Sequence, residues 1–407
     1  MRRSFLFLQG PATPFFARLA DRLRAQGHAV LRVNFCAGDA LYWGLRPALA
    51  YRGRPEALHD WLDAVYRRHG ITDQVLFGDR RPVHRPAVDH GVACGVRTWV
   101  FEEGYFRPWW VTLEQEGVNG HSLLPRDPNW FRDTGMRLAE PEGVVPFASS
   151  FRYRVIHDVL YHAAGAFNPV FFPRYQNHAP YVAPVEYAGY LLRFARLRII
   201  RAREEERVRE IVASRQPYFV LPLQLNSDAQ IRDHSRFEDM DEVMEYVLES
   251  FARHAAPDAQ MVIKNHPLDP GLVNHARVVK HLVHRFDLHG RVVYLEDGDL
   301  TTLLRHARGC VTVNSTSGLV ALEQGTPTVT LSDPIYNLPG LTFQGPLDAF
   351  WQEAAPPDAA LFSCFRRVVL HAAQINGGFY CPTGIRLAVE NAVPVLTAEA
   401  SPLECLL

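Results

Sequence analysis

Two adjacent carboxylates and a glycine end one apolar segment of the chain. Glu102 and Glu103 close the run RTWVFEE over residues 97–103, and Gly104 follows at once. Consecutive side chains of a strand point to opposite sides, so one carboxylate can face a ligand while the other is anchored in the protein. The glycine allows a ligand to approach the backbone closely. The pair suits a nucleophile or a general base, and a pair of solvated strand-end acids is the alternative interpretation.

A second candidate group follows the apolar run QMVI. Lys264, His266 and Pro267 lie in the sequence KNHP. Ligands of parallel α/β sheets bind at the carboxyl ends of the strands, and proline fixes the turn that presents the histidine. An imidazole can donate a hydrogen bond to a phosphate oxygen. His266 is therefore a candidate phosphate ligand, and a purely structural histidine is the alternative.

A hydroxyl-rich segment follows the run CVTV. Asn314, Ser315, Thr316 and Ser317 precede or open a predicted helix, and Glu323 lies about two turns further along. The free N–H groups and the dipole of a helix N-terminus attract anions, and the hydroxyls add donors. An ordinary N-cap is the alternative for the hydroxyls. Glu323 is placed either to reach a ribose hydroxyl or to lie on the exposed side of the helix.

A fourth segment, QLNSD over 224–228, begins with Gln224 after the run YFVLPL. Because it follows the first strand of the second half of the chain, we expect it either to contact a donor sugar or to be a polar connecting loop. The two interpretations are equally open.

The sequence lacks the motifs of several common nucleotide-binding and metal-binding sites. The chain has neither the G-K-[ST] of a phosphate-binding loop nor a G-x-G-x-x-G after its first strand, which disfavours a dinucleotide oxidoreductase. Its six cysteines form no C-x-x-C pair and no zinc-like cluster with histidine. We therefore predict no metal site and no bound cofactor, and we expect reduced thiols in a cytoplasmic protein.

Strands and helices alternate in both halves of the chain, which predicts an α/β fold with parallel sheets. Predicted strands cover 4–10, 29–35, 74–79, 97–103, 218–223, 260–265, 291–295, 310–314 and 327–331. Predicted helices cover 14–27, 55–69, 186–213, 238–254, 272–286, 299–307 and 317–324. Residues 105–190 are expected to mix loops and short helices. The charged second half of the 186–213 helix suggests a solvated connector.

This alternation predicts one domain over 1–200, a second over 215–345 and C-terminal helices over 346–407, with a ligand cleft between the two domains. Such an architecture suits an enzyme that binds an acceptor in one half, here the first, and a nucleotide in the other. The length of 407 residues, with 47% hydrophobic and 21% charged residues, agrees with a soluble protein of two domains. A net charge of −1 disfavours a nucleic-acid partner. The first apolar run is too short to span a membrane.

Taken together, six sequences resemble the capsule polysaccharide synthesis and export family of Gram-negative bacteria. They are FLQGP, FEEGYFRP, TLEQEGVN, LPLQLNSD, KNHP and NSTSGLVALEQGTPTVTL. Within the family, the chain resembles retaining β-Kdo transferases that start the capsule lipid anchor. The resemblance implies two Rossmann-like domains in a GT-B arrangement, a CMP-Kdo donor and a phosphatidylglycerol-type acceptor at the inner leaflet. It also implies a peripheral inner-membrane location and contacts with other capsule assembly proteins.

The same resemblance implies roles for the candidate residues. Related sialyltransferases that use CMP-activated keto sugars carry a (D/E)-(D/E)-G motif and an H-P motif, which Glu102-Glu103-Gly104 and His266-Pro267 match. The second acid is then the nucleophile, Glu103, with Glu102 as an anchor or an acid/base partner. Relatives often carry Glu-Asp-Gly, so the side chain at 103 is one methylene longer.

Two segments are candidates for contact with anionic lipid. One is the arginine-rich stretch 190–207, with Arg193, Arg196, Arg198 and Arg201, and the other is the aromatic region 105–175. A surface helix and a core are the alternatives. Two other functions also remain open, a UDP-sugar transferase or 2-epimerase of similar fold and a non-catalytic capsule export subunit.

Overall fold

The computed structural model describes residues 2–176, 183–225, 231 and 235–407. The chain forms two compact units. The first contains Met1–Pro125, Asp133–His178 and Phe365–Leu407, and the second contains Arg126–Arg132 and Ala179–Cys364. This division differs from the predicted domain limits at 200, 215 and 345, because the long helix that begins at Ala183 groups with the second unit and the end of the chain groups with the first.

The strands are β1 Ser4–Phe7, β2 Ala29–Asn34, β3 Leu49–Ala50, β4 Asp73–Phe77, β5 Arg97–Glu103, β6 Trp110–Gln115, β7 Tyr218–Pro222, β8 Gln260–Lys264, β9 Val292–Leu295, β10 Gly309–Thr312, β11 Thr328–Thr330 and β12 Gln374–Asn376. The helices are α1 Phe15–Ala25, α2 Ala37–Trp43, α3 Leu58–His69, α4 Arg85–Gly91, α5 Pro128–Arg137, α6 Phe151–Gly165, α7 Asn168–Phe171, α8 Ala183–Ala213, α9 Met240–His254, α10 His275–Arg285, α11 Leu300–His306, α12 Thr316–Glu323, α13 Leu347–Glu353, α14 Ala359–Ala372 and α15 Pro382–Thr397. Short 3₁₀ turns cover Pro55–Ala57, Val92–Cys94 and Asn119–His121.

The sheet of the first unit has the order β12-β6-β5-β4-β1-β2-β3. Strands β1 to β5 pair in parallel, whereas β6 pairs antiparallel with both β5 and β12. The sheet is therefore mixed, and the prediction of a wholly parallel sheet is wrong at this edge. The predicted C-terminal helices over 346–407 are present, and the unpredicted strand β12 lies among them and completes the same edge.

Both faces of this sheet are covered by helices. Side chains of β5 alternate between the two faces, so the buried ones show which helices each face contacts. Trp99 and Phe101 lie in a buried cluster with residues of α1 and α15, while Val100 lies in the cluster of α3. Because side chains alternate along a strand, Glu103 belongs to the α1/α15 face and Glu102 to the α3 face. The predicted separation of the two carboxylates is thus built into the strand.

The sheet of the second unit is parallel throughout, with the order β11-β10-β7-β8-β9. One face packs against α9, and the other packs against α8 and α11. The charged half of α8 is not a solvated connector, since Val208 and Ile211 are buried in the second of these cores. The Glu204 carboxylate is buried as well and accepts the N–H of Glu296 at 2.7 Å.

The α/β class and the two Rossmann-like sheets are confirmed, and most predicted elements lie within a few residues of their observed ends. Residues 105–190 depart most from the prediction of loops and short helices, because they contain β6 and the 15-residue helix α6. No helix in the described part of the chain combines the length and the apolarity that a membrane span needs. The GT-B arrangement stays a prediction.

Candidate active site

Glu103 ends β5 at the carboxyl edge of the first sheet, as the sequence predicts. Its Oε1 accepts a hydrogen bond from the Tyr380 hydroxyl at 3.1 Å and lies 3.6 Å from the Arg154 guanidinium. The Arg154 guanidinium also lies over the Tyr380 ring, 4.9 Å from its centroid. One oxygen of the carboxylate is therefore held by a hydrogen bond and an ion pair from distant parts of the chain.

Tyr380 lies between β12 and α15 and is the strongest side-chain partner of Glu103. Burial and, next, the charge of Glu103 raise the pKa of the Tyr380 phenol well above its usual value. The phenol thus stays protonated and remains a hydrogen-bond donor at neutral pH.

Glu102 has different neighbours. Its Oε1 accepts the backbone N–H of Glu103 at 2.9 Å, and its side chain lies on the side of β4. A Cβ added to Gly78, which follows β4 with a φ of 74°, would lie 3.3 Å from Glu102 Oε2. Glu102 thus folds back against its own strand end, as an anchoring role predicts.

The reason for Gly104 is not the one that the sequence suggested. A Cβ added here would lie 2.2 Å from the backbone oxygen of Trp110. Glycine is thus required by the close approach of β6, whatever ligand binds nearby.

A buried polar cluster lies beside these carboxylates, at the carboxyl ends of β1 and β2. Gln9 Nε2 is within hydrogen-bond distance of Asp39, at 3.3 Å, and of the Tyr161 hydroxyl, at 3.0 Å. Asp39 is paired with Arg32 at 3.1 Å, with both side chains buried. Arg81, after β4, donates to Gln9 Oε1 at 3.3 Å. The sequence did not single out these residues, although Gln9 belongs to the FLQGP motif.

In the second unit, the predicted residues follow three adjacent strands, β10, β7 and β8. Gln224 Nε2 donates to Asn314 Oδ1 at 3.0 Å, and both side chains are buried. The structure therefore brings these two predicted residues together, and the hydrogen bond that it shows joins them to each other. Residues 226–228 of the predicted QLNSD segment lie outside the described residues.

Ser315 is the N-cap of α12, and its Oγ accepts the N–H of Ser317 at 3.1 Å. The hydroxyls of Ser315 and Ser317 are 3.0 Å apart. Thr316 is the first residue of the helix, and Glu323 is its last and is exposed. The N-cap interpretation is thus confirmed, and it leaves the partly exposed helix start at the carboxyl edge of the sheet, where an anion site requires it.

His266 lies in a tight turn after β8. Its Nδ1 accepts the N–H of Leu268 at 3.1 Å, so a neutral imidazole carries its proton on Nε2. The backbone N–H of His266 donates to Asn265 Oδ1 at 2.8 Å. Since β7 lies between β8 and β10, the ends of these two strands are about 10 Å apart.

Arg193 of α8 holds this turn through hydrogen bonds to its backbone carbonyls. Its guanidinium donates to the carbonyls of His266 at 3.0 Å, Pro267 at 3.2 Å and Glu296 at 3.3 Å. The side chain is only 5% exposed, so the prediction that Arg193 contacts lipid is wrong. The spacing of arginines along α8 could not show this, because the acceptors are carbonyls of other segments.

Lys264 is buried at the end of β8, and its Nζ donates to the carbonyl of Asn265 at 3.1 Å. Burial lowers the pKa of this amine, mainly because the charged form loses its water. The Lys264 amine therefore binds the backbone of the turn that follows β8.

The other predicted lipid contacts of α8 are exposed, but two of them have acidic partners. Arg196 pairs with Glu296 at 3.3 Å and Arg201 pairs with Asp297 at 3.1 Å, while Arg198 is exposed. The positive charge available to an anionic surface is therefore smaller than the sequence suggests.

Helix α6 has an inverted amphipathic pattern. Its polar residues Arg154, His157 and Tyr161 face the protein, where His157 lies 2.8 Å from the Tyr42 hydroxyl. Its apolar residues and those of the following segment are exposed, with fractions between 41% and 74%. They are Phe151, Val155, Ile156, Val159, Leu160, Phe167, Val170 and Phe171. We call this set the α6 apolar face.

Comparison with known proteins supplies the family. The family model described as "Capsule polysaccharide biosynthesis protein" matches residues 72–380, which include both strand-end sites. The chain belongs to this family. The "Capsule polysaccharide export protein KpsS" of Escherichia coli is 34% identical over 380 residues, which are 93% of this chain and 97% of the relative.

Two further proteins are similar to this member of the capsule family. The "Capsule polysaccharide modification protein LipB" of Neisseria meningitidis serogroup B is 36% identical over 389 residues, 93% of this chain and 91% of the relative. The solved "KpsC, beta Kdo 2,7 transferase" of Thermosulfurimonas dismutans has a TM-score of 0.45 and 14% identity, covering 97% of this chain and 100% of that chain.

Proposed function

We propose that this capsule-family protein is a retaining glycosyltransferase that moves Kdo from CMP-Kdo to a phosphatidylglycerol-type lipid. The observation that carries the proposal is the position of the Glu103 carboxylate and the way in which it is held. This carboxylate ends a strand at the ligand-binding edge of the sheet, and Tyr380 and Arg154 hold it through Oε1. Such a fixed, partly exposed carboxylate suits a nucleophile better than a structural ion pair.

In the first step, an oxygen of Glu103 attacks the anomeric carbon of Kdo. A bond forms between this oxygen and the carbon, the bond from the carbon to the phosphate oxygen breaks, and CMP leaves with the electron pair. The configuration at the anomeric carbon inverts, and the sugar becomes an ester of Glu103.

The leaving phosphate needs stabilisation as its charge grows, and the second unit offers donors of the right kind. Nε2 of His266 carries a proton, and the start of α12 offers N–H groups, a helix dipole and the hydroxyls of Ser315 and Ser317. We assign the CMP phosphate to these groups, and the ribose to Glu323.

In the second step, a hydroxyl of the lipid acceptor attacks the same carbon and the Glu103 carboxylate leaves. A second inversion restores the β configuration, and the hydroxyl proton passes to a base. Glu102 is the nearest carboxylate along the chain and remains the candidate for that role beside its anchoring bond to the Glu103 N–H.

The α6 apolar face supports a lipid acceptor. Apolar side chains on the outer side of a helix are costly in water and mark interaction surfaces. Arg154 lies on the same helix and contacts Glu103, so helix α6 connects the α6 apolar face to the nucleophile. We propose peripheral binding to the inner membrane through this face.

The activity is tested by incubating the protein with CMP-Kdo and a fluorescent phosphatidylglycerol analogue, followed by mass spectrometry. We expect a product heavier by one or more Kdo residues, with β linkage. Turnover of UDP-sugars in place of CMP-Kdo would favour the UDP-sugar transferase or 2-epimerase. Binding of glycolipid without turnover of any donor would favour the non-catalytic export subunit.

Membrane binding is tested by flotation with anionic vesicles. The double variant Ile156→Asp/Leu160→Asp should lose most of the bound fraction, because two charges then replace buried apolar contacts. Leu45→Asp changes an exposed leucine outside the α6 apolar face and is the matched control. Equal binding of both variants and the wild type would contradict this assignment.

A further inference from the structure

Three possible metal ligands meet on the surface of the first unit. Asp63 lies on α3, His90 on α4 and Cys94 at the end of the Val92–Cys94 turn. Cys94 lies just before β5, whereas Glu103 is at the far end of that strand, about 20 Å away. The cluster is therefore separate from the proposed catalytic carboxylates.

The three ligand atoms form a small triangle. Cys94 Sγ is 3.0 Å from His90 Nε2 and 3.7 Å from Asp63 Oδ1, and His90 Nε2 is 3.5 Å from Asp63 Oδ1. In a proton relay the thiol and the acid would bind opposite nitrogens of the imidazole. Here both face Nε2, so the three groups converge on one point instead.

We propose that Asp63, His90 and Cys94 form a zinc site. With Zn–S near 2.3 Å and Zn–N and Zn–O near 2.0–2.1 Å, ligand atoms at two corners of a tetrahedron are about 3.4–3.6 Å apart. The observed triangle has sides close to these values, so the ion fits with small side-chain movements. A thiolate and a carboxylate balance the charge of Zn²⁺, and a water molecule completes the fourth position.

The surroundings support these three ligands. Asp63 binds Arg67 through Oδ2, which leaves Oδ1 directed to the triangle. The His59 ring packs against His90, with centroids 3.9 Å apart, and its Nδ1 lies 3.1 Å from Asp60. Such outer contacts orient metal ligands. The site was not predicted from the sequence, because the ligands lie on three segments without a zinc-finger spacing.

We expect bound zinc to have a structural role. Bound zinc would join α3 to the turn that leads into β5, and would stabilise the folded chain in proportion to its affinity. The thiol of Cys94 would lose its proton on binding.

Titration of the reduced, metal-stripped full chain with Co²⁺ tests the site. We expect one equivalent to produce a thiolate-to-cobalt charge-transfer band, which Zn²⁺ then removes by displacing the cobalt. Cys94→Ser should abolish the band, and His90→Gln and Asp63→Asn should each weaken Zn²⁺ binding by at least about tenfold. Cys405→Ser, at the other exposed thiol, is the matched control and should keep the band.

Thermal unfolding gives an independent measurement. Excess Zn²⁺ should raise the Tm of the wild type by about 2–4 °C and leave that of Cys94→Ser unchanged. Equal metal-free Tm values would show that the variant is folded. Absence of the band in the wild type, or its persistence in Cys94→Ser, would overturn the assignment.

Discussion

The two strand-end sites are built in different ways. In the first unit, Glu103 is held by side chains that come from α6 and from the segment before α15. In the second unit, the His266 turn and the α12 N-terminus are shaped by backbone groups and by near neighbours such as Asn265 and Ser317. In the first site, side chains from distant segments contact the carboxylate itself, whereas in the second the distant side chain, Arg193, contacts only the backbone of the turn.

This difference follows from the chemistry that we assign to each. A nucleophile must be held in one orientation, which requires side-chain donors fixed by packing. A phosphate accepts several hydrogen bonds from many directions, and a helix start with a neighbouring turn provides them. Substitutions should therefore affect the attack on the sugar in the first unit, and the binding of the donor and the departure of CMP in the second.

The largest expected effect is that of Glu103→Gln. Without the attacking carboxylate, transfer should fall by at least about 10⁴-fold. CMP affinity, measured by calorimetry, should stay close to wild type because the proposed phosphate ligands lie in the second unit.

Glu102→Gln is the comparison for that variant: an amide oxygen can still accept the Glu103 N–H, but it cannot take the proton of the acceptor hydroxyl. Its transfer activity should fall by about 10²-fold, less than that of Glu103→Gln. Mass spectrometry of the intact wild type with donor alone should detect a Kdo adduct on Glu103. An adduct on a different acid, or full activity of Glu103→Gln, would refute the nucleophile.

His266→Ala should have the next largest effect. Loss of a hydrogen bond to the leaving phosphate should cost about 2–4 kcal/mol of transition-state stabilisation, seen as a lower kcat/KM. His281→Ala, at an exposed position of α10, should leave kcat/KM unchanged. A normal kcat/KM in His266→Ala would remove this residue from the reaction.

Arg193→Met tests whether the His266 turn needs support from α8. It removes the guanidinium that donates to three part-buried carbonyls, so the free energy of unfolding should fall by about 2–3 kcal/mol, and the KM for CMP-Kdo should rise. Arg198→Met, at an exposed position of the same helix, should change the free energy of unfolding by less than about 0.5 kcal/mol. Denaturant unfolding measures both, and equal stability of the two variants would contradict the role of Arg193.

Tyr380→Phe should have the smallest effect. It removes one hydrogen bond from Glu103, worth about 0.5–1.5 kcal/mol, so kcat should fall by about 2–10-fold. The affinity for CMP should not change. Tyr153→Phe, an exposed tyrosine of α6, is the control. A normal kcat in Tyr380→Phe would show that its hydrogen bond to Glu103 does not support the reaction.

The difference between the two sites also explains which of their residues could be predicted from the sequence. The acid pair, the His-Pro turn and the serine cap are local patterns at strand ends, so their positions were predictable. Tyr380 and Arg154 were not, because they reach Glu103 only through tertiary packing. The role of Arg193 was predicted wrongly for the same reason, and Gly104 was assigned to a ligand although Trp110 explains it. The N-cap of α12 was predicted as one of two alternatives, and its phosphate role remains a prediction.

The path of the chain has a consequence for biosynthesis. On the ribosome the first unit begins with β1, yet its sheet lacks β12 until Gln374–Asn376 emerge, and Tyr380 comes later still. Arg3 then donates to the carbonyl of Leu396 at 2.7 Å, which joins the residue before β1 to helix α15. A nascent or prematurely terminated polypeptide that stops before residue 374 would contain Glu103 without its phenol donor. Translation therefore has to pass residue 380 before the Glu103 carboxylate is held in place.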